Sequence, residues 1–456
     1  MRLALALAAL AIASPAVAQR DPVASATVQR SGDSWTADYV LGEDAPVWLF
    51  AKSVLPRGSK TSWRLGTVRV LTPGVRLERI GDYDALVAQS GSVPRKVRLS
   101  FTPFFEDIEA GYDAAMAFGD GSVALYTSQF KLLPVASRAV AAAAPTDPDQ
   151  IEGAGRPTHI EIRDAAGDVF FMGERTDAAI VDDYDAYVLF GDARPQVGEA
   201  MATIIDPKLP QWLHDFILSE LPPVLERYRQ QLGPAPVGRP MLMVSWGGAT
   251  KEGSSFGGSV LPATVVMTIG GQQTLTADKG VSNYARWLVS HEAAHFWLGQ
   301  AVRYSSPAVS WITEGGAELL AFRAAAAVDR TYDVKARLTR ARRECEPFLA
   351  NGGVEGAYRR PDDFRAYYAC GVVIALAAEQ ASGGDFSTFV KTLIDRNRDD
   401  GVVTRAEWLA LLEQKAPRRG LPAAVAELLD KPHADGAAAL DRFIAAAGIA
   451  DRFAPQ

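Results

Sequence analysis

Two of the chain's five histidines, His291 and His295, stand four residues apart in "LVSHEAAHFWLGQ", with Glu292 beside the first. On a helix this spacing puts both imidazoles on one face, one turn and about 6 Å apart along the axis. Two ring nitrogens can then reach one ion at roughly 2.0–2.1 Å. Glu292 is rotated about 100° from His291, so it can flank a metal without ligating it and take a proton from a bound water. Such a helix is expected here, with Asn283 as its cap, Trp287 and Leu288 on the inner face and Gly299 as its stop.

Two histidines make only part of a site. Eighteen residues after His295, Glu314 follows in "VSWITEGGAELLAFRA". A second helix packed across the first could bring Glu314 to the ion. The His, His, Glu set would leave one coordination position open, as a catalytic zinc needs, whereas a structural zinc is closed by four ligands and more often uses cysteine. The donor set favours zinc, one ion per chain. Glu318, one turn beyond Glu314, could accept the second ring N–H of a ligating histidine and fix its tautomer, or be an ordinary solvated helix charge.

His291-Glu292-Ala293-Ala294-His295, followed after eighteen residues by the glutamate of "WITEGGAE", resembles the gluzincin metallopeptidases of the aminopeptidase N type, with Trp311, Glu314 and Gly315 matching as they stand. Glycyl aminopeptidases of the same clan share a related layout. The likeness is strong over about Asn283 to Ala324 and weak elsewhere. It implies a zinc ion, a thermolysin-like catalytic domain between β and helical domains, and a tyrosine that steadies the oxyanion. Tyr368, three residues before Gly371 in "AYYACGVVIALAAEQ", is the candidate, and Tyr367 is its competitor. The family also places an amine-holding glutamate on a strand ahead of the zinc helix. Here "SSFGGSVLPATVVMTIGG" offers Gly257 and Gly258, which allow a substrate backbone to approach closely, while Ser259, Val260 and Leu261 supply no carboxylate. Glu252 could substitute or be a simple loop residue.

The elements that must position these residues are legible in outline. Residues 19–195 carry short aromatic or alternating runs such as "KVRLSFTPFF" and "THIEIR" between Gly, Pro and Asp clusters, which predicts a β-rich, antiparallel N-terminal domain. Within it, "AVAAAAPTDPDQ" reads as a loop, since Pro145 and Pro148 end any helix. In residues 196–335, where the resemblance implies a thermolysin-like α/β catalytic domain, the pattern predicts a helix kinked at Pro222 and Pro223 and stopped at Gly233, and strands in "PMLMVSWGG" and "VLPATVVMTIGG". Residues 336–456 predict an α-helical domain, giving a multidomain α+β chain. "DRNRDDGVVTRAEW" imperfectly resembles a calcium loop, but a Thr404-capped helix closed by Glu407 accounts for the same residues.

Residues 1–18 read as a signal peptide, with Arg2, an apolar run and Ala16-Val17-Ala18 before the cut. The mature chain is expected in the periplasm or secreted, without a membrane span. Removing Arg2 moves the formal charge from -7 to -8, and an acidic chain without a basic run is a poor nucleic-acid binder. Cys345 and Cys370 are compatible with one bridge in an oxidising compartment, or with two buried thiols. The leading expectation is a zinc peptidase acting on a peptide substrate through Glu292 and Tyr368. The alternative is a non-catalytic protein that retains the fold and binds peptides or an envelope partner; a third reading is hydrolysis of a non-peptide bond.

Overall fold

The computed structural model describes residues 21–109, 112–182, 184–198, 201–235, 240–360, 363–417 and 420–454. The expected signal peptide lies outside the described residues. The chain is mixed α and β, with strands dominating to residue 205 and helices thereafter, and it divides into two compact units.

The first unit gathers the residues up to Glu109 with Thr127–Gly167 and Ala178–Tyr184. Its six-stranded sheet runs in the order Ala179–Val181, Thr158–Asp164, Ala24–Ser31, Ser34–Leu41, Lys96–Phe101, Val68–Val70. A four-stranded sheet holds Leu132–Val135, Val47–Phe50, Tyr83–Ala88 and Val75–Ile80. The period-2 alternation that marks these strands buries Ala24, Ala26 and Val28 on one face. The expectation of a wholly antiparallel domain is corrected at one place: Ala24–Ser31 pairs in parallel with Thr158–Asp164, a pairing between strands too far apart in sequence for local pattern to reveal. Two short helices belong here, α1 (Arg64–Thr67) and α2 (Arg138–Ala142). The second replaces the loop expected at Ala139, because Ser137 caps it by accepting from the Val140 N–H. Asp84, fully buried, receives Arg64 and Arg79 at 3.1 Å each.

The second unit takes Ala110–Tyr126, Asp168–Asp177 and everything from Asp185. A mixed sheet runs Gln196–Val197, Ala202–Ile205, Met241–Trp246, Thr264–Gly270, Ser255–Leu261, with its three central strands parallel and Ser255–Leu261 antiparallel at the edge. Against its apolar face packs a second sheet, through Met116, Phe170 and Leu189 on one side and Met243 and Val266 on the other.

The helices follow. α3 (Gln211–Leu232) runs as one helix with Pro222 and Pro223 inside it, and its buried stripe from Leu213 to Leu232 anchors both halves to the core. α4 (Lys279–Ala294) carries the histidines, α5 (Trp311–Val328) Glu314, α6 (Val334–Asn351) Cys345, and α7 (Ala366–Ala381) Tyr368 and Cys370. α8 (Phe386–Arg396), α9 (Arg405–Lys415), α10 (Leu421–Asp430) and α11 (Gly436–Ala447) complete the unit. Thr404 and Glu407 form the expected capping box at the start of α9. One hydrophobic cluster extends from Met201 to Phe453, so all the helices from α3 onward share a core. Among the described residues no helix is long and apolar enough to cross a membrane.

Three devices fix the helices around the histidines. Arg286 of α4 binds both oxygens of Glu220 of α3 at 2.9 Å and reaches Asp329, just past α5, at 2.9 Å. Cys345 and Cys370 are joined as a disulfide that staples α6 to α7. α5 and α7 lie side by side with glycine on glycine: a Cβ at Gly371 would sit 2.8 Å from the Gly315 Cα and 2.9 Å from the Trp311 carbonyl oxygen. Further along, Arg323 of α5 binds Glu379 of α7 at 2.8 and 2.6 Å. Both contacts join residues 56 apart, so the two helices run parallel. Gly371→Ala is expected to cost about 1–3 kcal/mol by overpacking, read as a lower urea midpoint with an unchanged slope; an unaltered midpoint would mean the helices can separate freely.

Candidate metal centre

α4 starts at Asp278, whose carboxylate accepts the Val281 N–H at 2.9 Å; Asn283, the expected cap, lies inside the helix and accepts from Arg286 at 3.1 Å. The helix also ends earlier than Gly299. After Ala294 the backbone tightens, with the N–H groups of His295, Phe296 and Trp297 each bonding a carbonyl three residues back. This turn brings the Leu298 carbonyl to 2.8 Å from His295 Nδ1. Nδ1 therefore carries the proton and donates it, which leaves the Nε2 lone pair for a ligand.

Glu314 sits in the first turn of α5. His291 Nε2 and His295 Nε2 are 3.2 Å apart, and each lies 3.4 Å from Glu314 Oε2. Glu314 Oε2 is buried and has no hydrogen-bond partner. Two imidazole lone pairs and an unsatisfied carboxylate oxygen converging on one point are a poor hydrogen-bond arrangement and a good metal donor set, and this cluster can hold a metal ion.

Glu292 is 7% exposed and lies against the edge strand Ser255–Leu261, where a Cβ on Gly258 would come within 2.8 Å of its Oε1. A side chain at Gly258 would displace the Glu292 carboxylate, while one at Gly257 would meet nothing within 4 Å. Burial raises the Glu292 pKa, His291 and His295 oppose it, and Glu314 and Glu318 add to it. The Tyr368 ring stacks on His291 at 5.5 Å and 22°. Its pKa is pushed well up by burial, then by the charges of Glu314 and Glu292 and a hydrogen bond with Glu314. Tyr367 turns the other way, fully buried against Phe364.

Glu318, 4% exposed, is neither the acceptor for His291 nor the solvated helix charge that the sequence left open. Its Oε2 takes the Trp287 indole N–H at 2.6 Å, and His291 Nδ1 is buried without a partner. The indole, four residues ahead of His291 on α4, takes the carboxylate instead. Glu252 is exposed, three residues ahead of the edge strand.

Sequence reasoning missed two tyrosines. Burial and then Glu292 raise the pKa of Tyr112, whose hydroxyl donates to the Val260 carbonyl at 2.7 Å. Tyr304 is raised by burial and then Glu314. Neither sits in a motif, so only the fold brings them near the cluster.

The sequence matches no family model and no curated protein. The structure resembles an aminopeptidase N family protein from Idiomarina loihiensis, with a TM-score of 0.62, 12% identity, 92% of this chain and 78% of that chain covered. It also resembles native yeast LTA4 hydrolase, with a TM-score of 0.51, 14% identity, and 92% and 71% of the two chains covered. A further structure of native leukotriene A4 hydrolase from Saccharomyces cerevisiae gives 0.50, 15%, 91% and 68%. The fold is therefore the aminopeptidase-like multidomain fold, mixed α+β with a helical C-terminal region.

Burial opposes charging His295, but the Glu314 carboxylate prevails and raises its pKa from 6.5 to about 9 in the metal-free protein. A raised histidine pKa adds stability that is fully present below pH 6.5 and is lost as pH rises through about 9. Thermal melts of chelated protein are expected to fall across that window, and divalent-metal affinity to rise over it as the proton ceases to compete. A melting temperature of the chelated protein that stays flat there would contradict the pairing.

Proposed function

We propose that the protein is a zinc-dependent peptidase, with one ion per chain, acting in the periplasm or as a secreted protein. The observation that carries this is the convergence of His291 Nε2, His295 Nε2 and Glu314 Oε2 with a buried, non-ligating carboxylate, Glu292, beside them. A purely structural metal has no use for that fourth group. Three protein ligands match the open coordination of catalytic zinc, and the disulfide supports an oxidising compartment.

A zinc ion bound there supplies a Lewis acid and acidifies water at near-neutral pH. The rest falls to the chain's own groups. Glu292, its pKa raised by burial, takes a proton from the attacking water and returns it to the leaving amine. Tyr368, held protonated by its raised pKa, donates its hydroxyl proton in a hydrogen bond to the oxyanion of the peptide carbonyl. Among the described residues no strand pairs with Ser255–Leu261 on its outer side, so an extended peptide can add along that edge, where Tyr112 already holds the Val260 carbonyl. Gly257, exposed and unobstructed, leaves room for that approach. The strand brings no carboxylate for a free amino terminus, which argues against strict trimming of amino termini.

The test is cleavage of a mixed peptide library followed by mass spectrometry. Wild type is expected to cut, and the cut positions distinguish exopeptidase from endopeptidase action. Glu292→Gln is expected to retain metal and lose about 10²–10⁴-fold in rate. Tyr368→Phe is expected to lose about 10²–10³-fold in kcat, while Tyr367→Phe leaves kcat unchanged. Zinc-loaded wild type that binds peptides and cuts none would overturn the peptidase in favour of a binding protein.

A further inference from the structure

A cavity of about 460 Å³ opens beside the metal centre, with Trp287, Glu318 and Tyr368 in its wall. Trp287 and Tyr368 also pack their rings against His291, at 5.6 and 5.5 Å, so cavity and centre share a wall. The opposite wall is one face of α6, where Arg337, Arg340 and Glu344 recur at helical spacing. Arg365, at the start of α7, closes the ring of charges.

These charges do not cancel. Glu344 is saturated: Oε1 accepts from Arg340 at 2.7 Å and Oε2 from Arg365 at 3.0 Å. Glu318 is bonded to the Trp287 indole. Arg337 is half-buried and pairs with no carboxylate among the described residues; its guanidinium lies 5.5 Å over the Tyr332 ring. Three guanidiniums face two carboxylates, which leaves the wall net positive. The Cys345–Cys370 bridge holds α6 against α7 and so fixes Arg337 relative to Tyr368.

We propose that this cavity is a subsite for a carboxylate of the bound peptide, with Arg337 as its principal partner and Arg365 at its rim. The inference rests on the peptidase reading. A planar guanidinium without an acid partner, set in a pocket wall, matches a carboxylate in charge and fork geometry. The volume falls within the usual range for small-ligand sites, about 300–1,000 Å³. The carboxylate has two sources, an acidic side chain or the peptide's own C-terminus, which the test separates.

Binding is measured by calorimetry on the protein as purified, in the Glu292→Gln background so that bound peptide is not cut. Three N-acetylated probes are compared: Ala-Ala-Glu-Ala-Ala amide, Ala-Ala-Gln-Ala-Ala amide and Ala-Ala-Gln-Ala-Ala free acid. At least one charged probe is expected to bind about 10-fold or more tightly than the neutral one, as a charge-assisted contact provides. Which one does so names the source. Arg337→Gln is expected to abolish the difference while leaving the neutral probe's affinity and the melting temperature unchanged, and Arg337→Lys to restore part of it. Equal affinity for all three probes, a preference that survives in Arg337→Gln, or no binding by any of them would overturn the subsite. Because the readout is binding, wild type that never cleaves would sink the peptidase reading separately.

Discussion

The contact on which the centre depends is the one between Gly315 and Gly371. Their backbones meet with no room for a Cβ on either side, so α5 and α7 approach as closely as two helices can. Each glycine sits next to a functional group in sequence: Glu314 immediately precedes one, and Tyr368 lies one turn before the other. Close approach of the glycines therefore delivers a carboxylate from α5 to His291 and His295 and a phenol ring from α7 to His291. The Arg323–Glu379 pair holds the same two helices further along, and Arg286 sets α4 against α3 and the end of α5. The site is rigid because its helices are clamped in pairs, which is what preorganised chemistry requires.

The electrostatics of the cluster call for a cation. Glu292, Glu314 and Glu318 are gathered with two imidazoles in a buried space, where Glu314 raises the pKa of both Glu292 and Glu318 and Glu318 raises that of Glu292. Glu314 Oε2 is buried with no hydrogen bond, a state that costs about 1–3 kcal/mol for a neutral group and more for a charged one. A divalent ion at the point where Nε2, Nε2 and Oε2 converge would satisfy that oxygen and offset the like-charge repulsion together. In its absence a proton on His295 does part of the same work.

The candidate site was largely legible in the sequence because helical periodicity is a local property. The four-residue spacing of His291 and His295 and the helical pattern around Glu314 and Tyr368 survive into the fold with those residues side by side. Features set by tertiary contact were not legible. Asp278 takes the cap from Asn283 because α4 begins five residues earlier than pattern suggested. Glu318 turns to Trp287, a choice between two nearby donors that sequence spacing leaves open. The parallel pairing of Ala24–Ser31 with Thr158–Asp164 and the approach of Tyr112 and Tyr304 join residues that no local pattern links.

Peptide hydrolysis at this centre requires one ion at the meeting point of His291, His295 and Glu314. X-ray diffraction from crystals of the purified protein, collected above and below the zinc absorption edge, would test this directly. One anomalous peak per chain is expected within bonding distance of both Nε2 atoms and a Glu314 oxygen, absent in Glu314→Ala. Wild-type crystals grown with zinc that show no peak there, or show it elsewhere on the chain, would contradict it.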